Sequence, residues 1–436
     1  MVGAVRIVPV PGAVRPRCPS RRDVRSPSRA FSLQVPRAAQ NDDATYTPTE
    51  RVANLQSEGA YAVLAKATAL EREGRNIVHL EIGQPGFSTP QHVLDAGIEA
   101  IQSGKTKYAA PDGSPSLREA IATYVSETRN VQVSPDEVIV GPGAKPGLFF
   151  PTLAIVNPSD TVIYPEPGFP TYRAMVEVAG GVPVPAPLRD DGKSFDMNAL
   201  TKLIETKKPK LLVINSPGNP TGGVMPKEDV EQIVDLAIEH DFFILTDEIY
   251  SRLVYDNTKA HSPFSIPKAR SRVILVDGFS KTYCMTGWRL GWAVMPRHIA
   301  RKVELLAVHS YGCVASFTQE AGVAALTGPQ NEVEEIKNEY KLRRDYVVGE
   351  LNSIPGVHCP KPEGAFYVFP DVSSYGKTSQ EISDDLLTQE TGGVAVLPGT
   401  DFGKNGEGKI RISYVGEMET LKEGMGRIKK YFEQLE

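Results

Sequence analysis

Long apolar runs are missing from this sequence of 436 residues. No stretch approaches the roughly 18 residues that a membrane-spanning helix needs, and the longest runs have the length of a strand. Hydrophobic residues make up 41% of the chain and charged residues 23%, which is ordinary for a soluble globular protein. The composition therefore argues against a membrane protein, and the length predicts two or three domains.

Cysteine and histidine are both scarce and scattered. The cysteines contain no CxxC pair, and the seven histidines contain no HExxH motif and no pair at the helical spacing of metal ligands. The four cysteines are Cys18, Cys284, Cys313 and Cys359. The pattern indicates unpaired thiols in a reducing compartment, and no metal site is predicted.

Acidic residues are nearly absent from the N-terminal segment. Residues 1–40 hold eight arginines, no lysine and one acid, Asp23, so this segment carries +7 and the rest of the chain −12 within a net charge of −5. An acidic body offers no electrostatic surface for a phosphate backbone, which argues against nucleic-acid binding. The leader is also rich in serine and has no long apolar segment, which predicts an organellar transit peptide over residues 1–42.

The prolines of the leader bear on its destination. Six of them disfavour a regular amphipathic helix, which weakly favours a plastid over a mitochondrion. The alternative is a disordered basic tail without a targeting role.

Short β-rich runs alternate with helix-like segments in residues 138–296. Most runs lack polar alternation, as expected of strands that helices cover on both faces. The predicted strands are residues 138–140, 161–164, 182–187, 211–215, 242–246, 273–276 and 290–294. This alternation predicts an α/β fold whose large domain has a doubly wound, mainly parallel sheet.

The two ends of the chain are expected to form a smaller α/β domain. Before the sheet, helices are predicted at residues 62–74, 91–103 and 116–125, the last two within the large domain. After the sheet, helices are predicted at 331–351 and 420–434, and strands at 364–369 and 409–414. The predicted division after the leader is an N-terminal arm with part of the small domain (43–88), the large domain (89–324) and the small domain (325–436).

Polar side chains follow several predicted strands, at the edge where a doubly wound sheet binds its ligands. Asp247 and Tyr250 follow one strand, and Ser280 and Lys281 follow the next. Asn219 stands in a turn after a third strand. We therefore expect these residues to converge on one rim.

The residue types of this rim fit a ligand with three distinct parts. A glycine-rich turn at residues 141–147, with Ser280 and Arg289, can hold a phosphate. A desolvated lysine such as Lys281 can form an imine with an aldehyde, and Asp247 can keep a ring nitrogen protonated. Each residue alone has an ordinary structural explanation, such as a solvated lysine or a helix cap. Their joint placement indicates pyridoxal phosphate.

The segment GFSKTYCMTGWRLG, residues 278–291, resembles the lysine signature of class I aminotransferases, which are fold-type I pyridoxal-phosphate enzymes. Further matching segments are residues 83–85, 107–108, 216–222, 247–250, 364–367, 398–402 and 411–413. The subgroup is similar to the bacterial-type aspartate aminotransferases. The resemblance implies transfer of an amino group from an L-amino acid, with aspartate favoured, to a 2-oxoacid such as 2-oxoglutarate.

The resemblance also implies a role for each catalytic residue. Lys281 would carry pyridoxal phosphate as a Schiff base and shuttle a proton at the substrate's Cα. Asp247 would pair with the ring nitrogen, whereas Asn219 and Tyr250 would bind the phenolic oxygen of the ring. Phe169 would stack on the ring.

The same resemblance assigns the phosphate and the substrate. The residues that would surround the phosphate are Gly143, Ala144, Lys145, Ser280 and Arg289. Arg411 would bind the substrate's α-carboxylate, with Asn219 and the backbone of Gly83 beside it. Tyr108 would reach the phosphate in the neighbouring subunit, which implies a homodimer.

Two positions bear on the amino donor. Lys145 stands where aspartate-type relatives place a lysine near the distal group of a dicarboxylate. Glu58 stands near the substrate mouth, where such relatives have a small hydroxyl residue, and an inward-pointing acid there would disfavour a dicarboxylate. The alternatives are an aminotransferase for aromatic or small neutral amino acids and a β-lyase on the same fold. A non-enzymatic binding protein of this fold would be expected to lack Lys281 or Asp247.

Overall fold

In the computed structural model, which describes residues 49–53, 55, 57–390 and 392–435, a seven-stranded sheet lies between two layers of helices. One compact unit comprises Pro48–Glu436. The strands are β1 (Ile77–His79), β2 (Val138–Gly141), β3 (Thr161–Glu166), β4 (Val182–Pro187), β5 (Leu211–Asn215), β6 (Phe243–Asp247), β7 (Val273–Gly278), β8 (Gly291–Val294), β9 (Tyr367–Val368), β10 (Gly393–Ala395), β11 (Leu397–Pro398) and β12 (Ile410–Ser413). The helices are α1 (Glu50–Ala53), α2 (Gly59–Arg72), α3 (Gln91–Gln102), α4 (Pro115–Arg129), α5 (Lys145–Ile155), α6 (Thr171–Ala179), α7 (Met197–Lys207), α8 (Lys227–Glu239), α9 (Arg297–Val308), α10 (Ser316–Thr327), α11 (Asn331–Asn352), α12 (Ser379–Thr388) and α13 (Met418–Glu433).

The central sheet has the strand order β2-β8-β7-β6-β5-β3-β4. β8 runs antiparallel to β2 and β7, and the other neighbouring strands are parallel. The predicted α/β fold with a doubly wound, mainly parallel sheet is therefore confirmed.

Both faces of this sheet are buried, and β5 shows the physical reason for its apolar sequence. Leu212 and Ile214 pack into the hydrophobic core on one face, with side chains of α4, α8 and α10. Leu211 and Val213 pack into the core on the other face, with side chains of α5, α6 and α9. Because successive side chains of a strand point to opposite faces, a strand covered on both sides shows no polar alternation.

Two small sheets lie outside the central one. β1 pairs in parallel with β10, and β12 lies antiparallel between β11 and β9. A separate core, which includes Tyr340 of α11, Ile412 of β12 and Phe432 of α13, joins these strands to their helices. Segments from both ends of the described chain therefore pack together.

Some sequence predictions concern residues or properties that the structure does not reach. The predicted transit peptide, residues 1–42, lies outside the described residues. The division at residues 88 and 324 stays a prediction. Within the part of the chain described above, no helix is both long and apolar enough to cross a membrane.

Candidate active site

The carboxyl ends of β5, β6 and β7 meet at one edge of the central sheet. Asn215, the last residue of β5, pairs with Asp247, the last residue of β6, and Asp247 pairs with Val276 of β7. The chain leaves β7 at Gly278 and reaches Lys281 shortly afterwards. Because the three strands are parallel, the side chains that follow them emerge at the same edge. The predicted strand-end residues are therefore brought together.

Asp247 is buried at this edge, and two hydrogen bonds fix its carboxylate. The Tyr172 hydroxyl donates to Oδ2 at 2.8 Å, and the backbone N–H of Ile249 donates to Oδ1 at 3.2 Å. Burial raises the pKa of Asp247 to about 6, and the two hydrogen bonds oppose this shift. The carboxylate is therefore charged at neutral pH and suited to pair with a cationic ring nitrogen.

The amine of Lys281 is held by the backbone. Its Nζ donates to the carbonyl oxygen of Gly83 at 2.7 Å. Burial, followed by the charges of Arg411 and Arg289, lowers the pKa of Lys281 to about 8, and the charge of Asp247 acts in the opposite direction. More of this amine is neutral near neutral pH than in an exposed lysine, and the neutral amine is the nucleophilic form.

The position of Gly83 depends on a close approach to Tyr367. A Cβ built on Gly83 would lie 1.8 Å from the Tyr367 hydroxyl oxygen, so any larger residue would displace either this loop or the Tyr367 ring. The hydroxyls of Tyr367 and Tyr250 are 3.0 Å apart. Burial raises the pKa of Tyr250, which keeps its hydroxyl protonated and able to donate a hydrogen bond.

A glycine-rich turn leads from β2 into α5. Gly143 has a φ of +88°, and a Cβ there would lie 2.4 Å from Nη2 of Arg289. The same nitrogen donates to the carbonyl of Pro142 at 3.3 Å. Ala144 is the N-cap residue of α5, and Ser280 is buried. A guanidinium beside the first N–H groups of a helix is suited to bind a phosphate.

Arg411 comes to the site from β12. Nη1 donates to Oδ1 of Asn219 at 3.0 Å, and Nη2 donates to the backbone carbonyl of Glu81. The ring centroids of Tyr367 and Phe402 lie 4.3 and 4.9 Å from its Cζ. Its Nε is buried and has no hydrogen-bond partner among the described residues. A buried guanidinium with an unused donor fits a carboxylate ligand.

A polar cluster joins the N-termini of three helices. Glu58 is the N-cap residue of α2, but its side chain makes no capping hydrogen bond. Instead, its Oε1 accepts hydrogen bonds from Lys145 Nζ of α5 and, at 3.4 Å, from Thr171 Oγ1 of α6. Lys145 Nζ lies 5.5 Å from the ring centroid of Phe169. The Phe169 ring in turn packs edge-on against Tyr172, with the centroids 5.7 Å apart. The cluster is thereby linked to the tyrosine that binds the strand-end carboxylate.

Tyr108 differs from the other predicted residues because the site does not enclose it. Its side chain is 98% exposed. The next residue, Ala109, is anchored by a hydrogen bond from its N–H to Sγ of Cys313 at 3.4 Å. Tyrosine is one of the residue types enriched in protein–protein interfaces.

Three residues of the site were not assigned a role from the sequence. Tyr172 binds Asp247, Tyr367 limits the space beside Gly83, and the carbonyl of Glu81 holds Arg411. Only Tyr367 lies in a segment that carried the family resemblance. Backbone acceptors such as the Glu81 carbonyl leave no signal in a sequence.

Comparisons with known proteins identify the family to which the chain is similar. Residues 75–428 match the family described as aminotransferase class I and II. An aspartate aminotransferase from Musicola paradisiaca (strain Ech703) is 38% identical over 87% of this chain and 95% of the relative. A probable aspartate/prephenate aminotransferase from Aquifex aeolicus (strain VF5) is 39% identical over 88% of this chain and 98% of the relative. The solved structure of aspartate aminotransferase from Thermus thermophilus with maleate has a TM-score of 0.83 at 36% identity, covering 88% of this chain and 99% of that one.

Proposed function

The chain belongs to the class I and II aminotransferases, and on that premise we propose that it moves the amino group of aspartate to a 2-oxoacid such as 2-oxoglutarate, with pyridoxal phosphate bound to Lys281. The observation that carries this proposal is the Lys281 amine. It is hydrogen-bonded to the Gly83 carbonyl, its pKa is lowered to about 8, and it lies at the sheet edge that also bears Asp247.

The residues of this edge fit the separate parts of pyridoxal phosphate. The Lys281 amine, whose lowered pKa makes its nucleophilic form easier to reach, suits its aldehyde, and the buried carboxylate of Asp247 suits its ring nitrogen. The turn at Gly143, where Arg289 fills the space of a Cβ, suits its phosphate. When bound, this cofactor supplies an electrophilic carbon for amines and a protonated ring that withdraws electrons from the substrate's Cα.

The protein's own groups then bind the substrate and move its proton. Arg411 would bind the α-carboxylate, which amino acids and 2-oxoacids share, through a guanidinium that Asn219 and the Glu81 carbonyl orient. Lys281 Nζ would take the proton from the substrate's Cα and donate it to the cofactor carbon that had carried the aldehyde. Asp247 would keep a negative charge beside the ring nitrogen of the bound cofactor.

Aspartate is the proposed donor because Lys145 offers a cation near the site. Arg411 and Arg289 are assigned to the α-carboxylate and the phosphate, whereas Lys145 Nζ lies 5.5 Å from the ring centroid of Phe169, the residue proposed to stack on the cofactor. The names of the relatives from Musicola paradisiaca and Aquifex aeolicus support the same donor.

We also propose a homodimer in which Tyr108 completes the site of the partner subunit. Its 98% exposure and the anchored loop that carries it support this arrangement. An exposed hydroxyl could donate a hydrogen bond to a phosphate bound by another copy of the chain.

A direct assay tests the proposed function. The purified protein with pyridoxal phosphate should form glutamate and oxaloacetate in equal amounts from aspartate and 2-oxoglutarate. Lys281→Ala should reduce this rate by about a thousandfold or more, because the proton at Cα loses its acceptor. Lys302→Ala, which changes an exposed lysine on α9, is the matched control. Normal turnover in Lys281→Ala, or release of ammonia without a 2-oxoacid acceptor, would contradict the proposal.

A further inference from the structure

Glu58 is placed where it can influence the substrate's side chain. Its carboxylate binds Lys145 and Thr171, and its side chain is 25% exposed, while that of Lys145 is 46% exposed. The pair is therefore neither sealed in the core nor fully in solvent. Lys145 Nζ also lies 5.5 Å from the ring centroid of Phe169, which places the pair beside the residue proposed to stack on the cofactor.

The charge of Glu58 acts on the catalytic centre as well. Burial and the charges of Arg411 and Arg289 lower the pKa of Lys281, and the charge of Glu58 opposes them. Such influence weakens with distance and with exposure to water. The Glu58–Lys145 pair is therefore close enough to the catalytic lysine for its charges to be felt there.

The pairing creates a conflict for a dicarboxylic substrate. Its side-chain carboxylate would need Lys145, but Lys145 is already paired with Glu58, and Glu58 carries the same charge as the substrate's group. The substrate must displace Glu58 or accept a like charge nearby, and either costs free energy. A neutral side chain meets no such competition.

We propose that Glu58 determines substrate selectivity by competing with the side-chain carboxylate of dicarboxylic substrates for Lys145. The enzyme then binds dicarboxylates less tightly than Lys145 alone would allow, and it accepts neutral side chains beside them. This inference rests on the proposed function, because it assumes that the α-carboxylate is held by Arg411.

Two acids that differ only at the distal end provide the probes. Succinate carries a second carboxylate where butyrate carries a methyl group. Calorimetric titration of the holoenzyme measures both dissociation constants without turnover. In Glu58→Gln the Kd for succinate should fall about tenfold, which is about 1.4 kcal/mol, while that for butyrate should change less than about twofold. The KM for aspartate should fall in the same proportion, relative to that for alanine.

The part played by Lys145 is tested with a double variant. Lys145→Met alone should raise the Kd for succinate about tenfold. In that background Glu58→Gln should lower the Kd for succinate by less than about threefold, because Lys145 is no longer there to be freed from its pairing with Glu58. If Glu58→Gln lowered the Kd for succinate about tenfold in the Lys145→Met background as well, Glu58 would act only as a remote charge, and the proposed competition would be overturned.

The control is Glu73→Gln, which removes the same charge at the other end of α2. The two ends of this 14-residue helix are about 21 Å apart, so Glu73→Gln should leave both dissociation constants unchanged. If wild-type holoenzyme binds both acids and Glu58→Gln leaves their ratio unchanged, only this inference fails. If wild-type holoenzyme binds neither acid and transfers no amino group, the proposed function fails and takes the inference with it.

Discussion

At the scale of single residues, the charge of Asp247 depends on one tyrosine. Tyr172→Phe removes the hydroxyl that donates to Asp247 Oδ2 at 2.8 Å. Burial raises the pKa of Asp247 to about 6 and this hydrogen bond opposes the shift, so its loss should raise the pKa further, by about one pH unit. Asp247 must be ionised to pair with the ring nitrogen. Cofactor should therefore be lost as the pH falls through this pKa, and the midpoint should lie about one unit higher in the variant.

Dialysis over a pH series, followed by absorbance of the retained cofactor, measures that midpoint. Tyr431→Phe is a matched control, because it removes a hydrogen bond of the same kind, to Asp385 at 2.8 Å, between α13 and α12. Equal midpoints in the Tyr172→Phe and Tyr431→Phe proteins would show that Tyr172 has no special influence on the cofactor.

The sequence was informative about residues that stand in recognisable segments. Lys281, Asp247 and Asn219 each follow a strand whose apolar run is visible, so their convergence could be predicted. Tyr172 could not, because it lies 75 positions before Asp247 and meets it only when α6 packs onto the sheet. The catalytic roles themselves stay predictions until variants are measured.

At the scale of elements, the loop after β1 packs closely against strand β9 because Gly83 has no side chain. In Gly83→Ala the new methyl group would meet the Tyr367 hydroxyl at 1.8 Å; because the Tyr367 ring is buried, we expect the loop to shift. We expect a loss of about 1–3 kcal/mol in stability from this overpacking. The carbonyl that binds Lys281 at 2.7 Å moves as well, and the KM for the amino acid should rise about tenfold. Thermal unfolding and steady-state kinetics measure the two effects.

Gly426→Ala provides the comparison for this change. Gly426 lies in α13, and a Cβ there would have no neighbour within 4 Å. This substitution should stabilise the protein by up to about 1 kcal/mol through helix propensity and leave the KM unchanged. A Gly83→Ala protein that behaved in the same way would show that the loop has room for a side chain.

The elements themselves were predictable to different degrees. The run at Leu211–Asn215 has the bounds that its sequence predicted, because a buried parallel strand is apolar throughout. The run at Val182–Pro187 also has its predicted bounds, although it is the partly exposed edge strand of the sheet. β1 and β10 were not predicted. Each has three residues, and they pair across the length of the chain, so their stability comes from tertiary packing rather than from local sequence. The antiparallel direction of β8 likewise follows from its connection and not from its composition.

At the scale of the whole molecule, the site unites distant parts of the chain. Gly83 and Lys281 are 198 positions apart, and Arg411 is 330 positions from Glu81, whose carbonyl it binds. The order of the motifs predicted which family's site they would form, but it could not supply the distances. Those depend on β1 and β12 packing in the same core.

The last expectation concerns assembly. If Tyr108 completes the partner's site, Tyr108→Ala and Lys281→Ala homodimers both have only defective sites. A hybrid dimer has one site with both changes and one with neither. Unfolding and refolding the two variants together in equal amounts should therefore give up to about a quarter of wild-type activity, because half of the dimers are hybrids with one intact site. Folding should survive the Tyr108 change, since the side chain is 98% exposed. Activity that stays at the mean of the separate variants would mean that each chain uses its own Tyr108 or none.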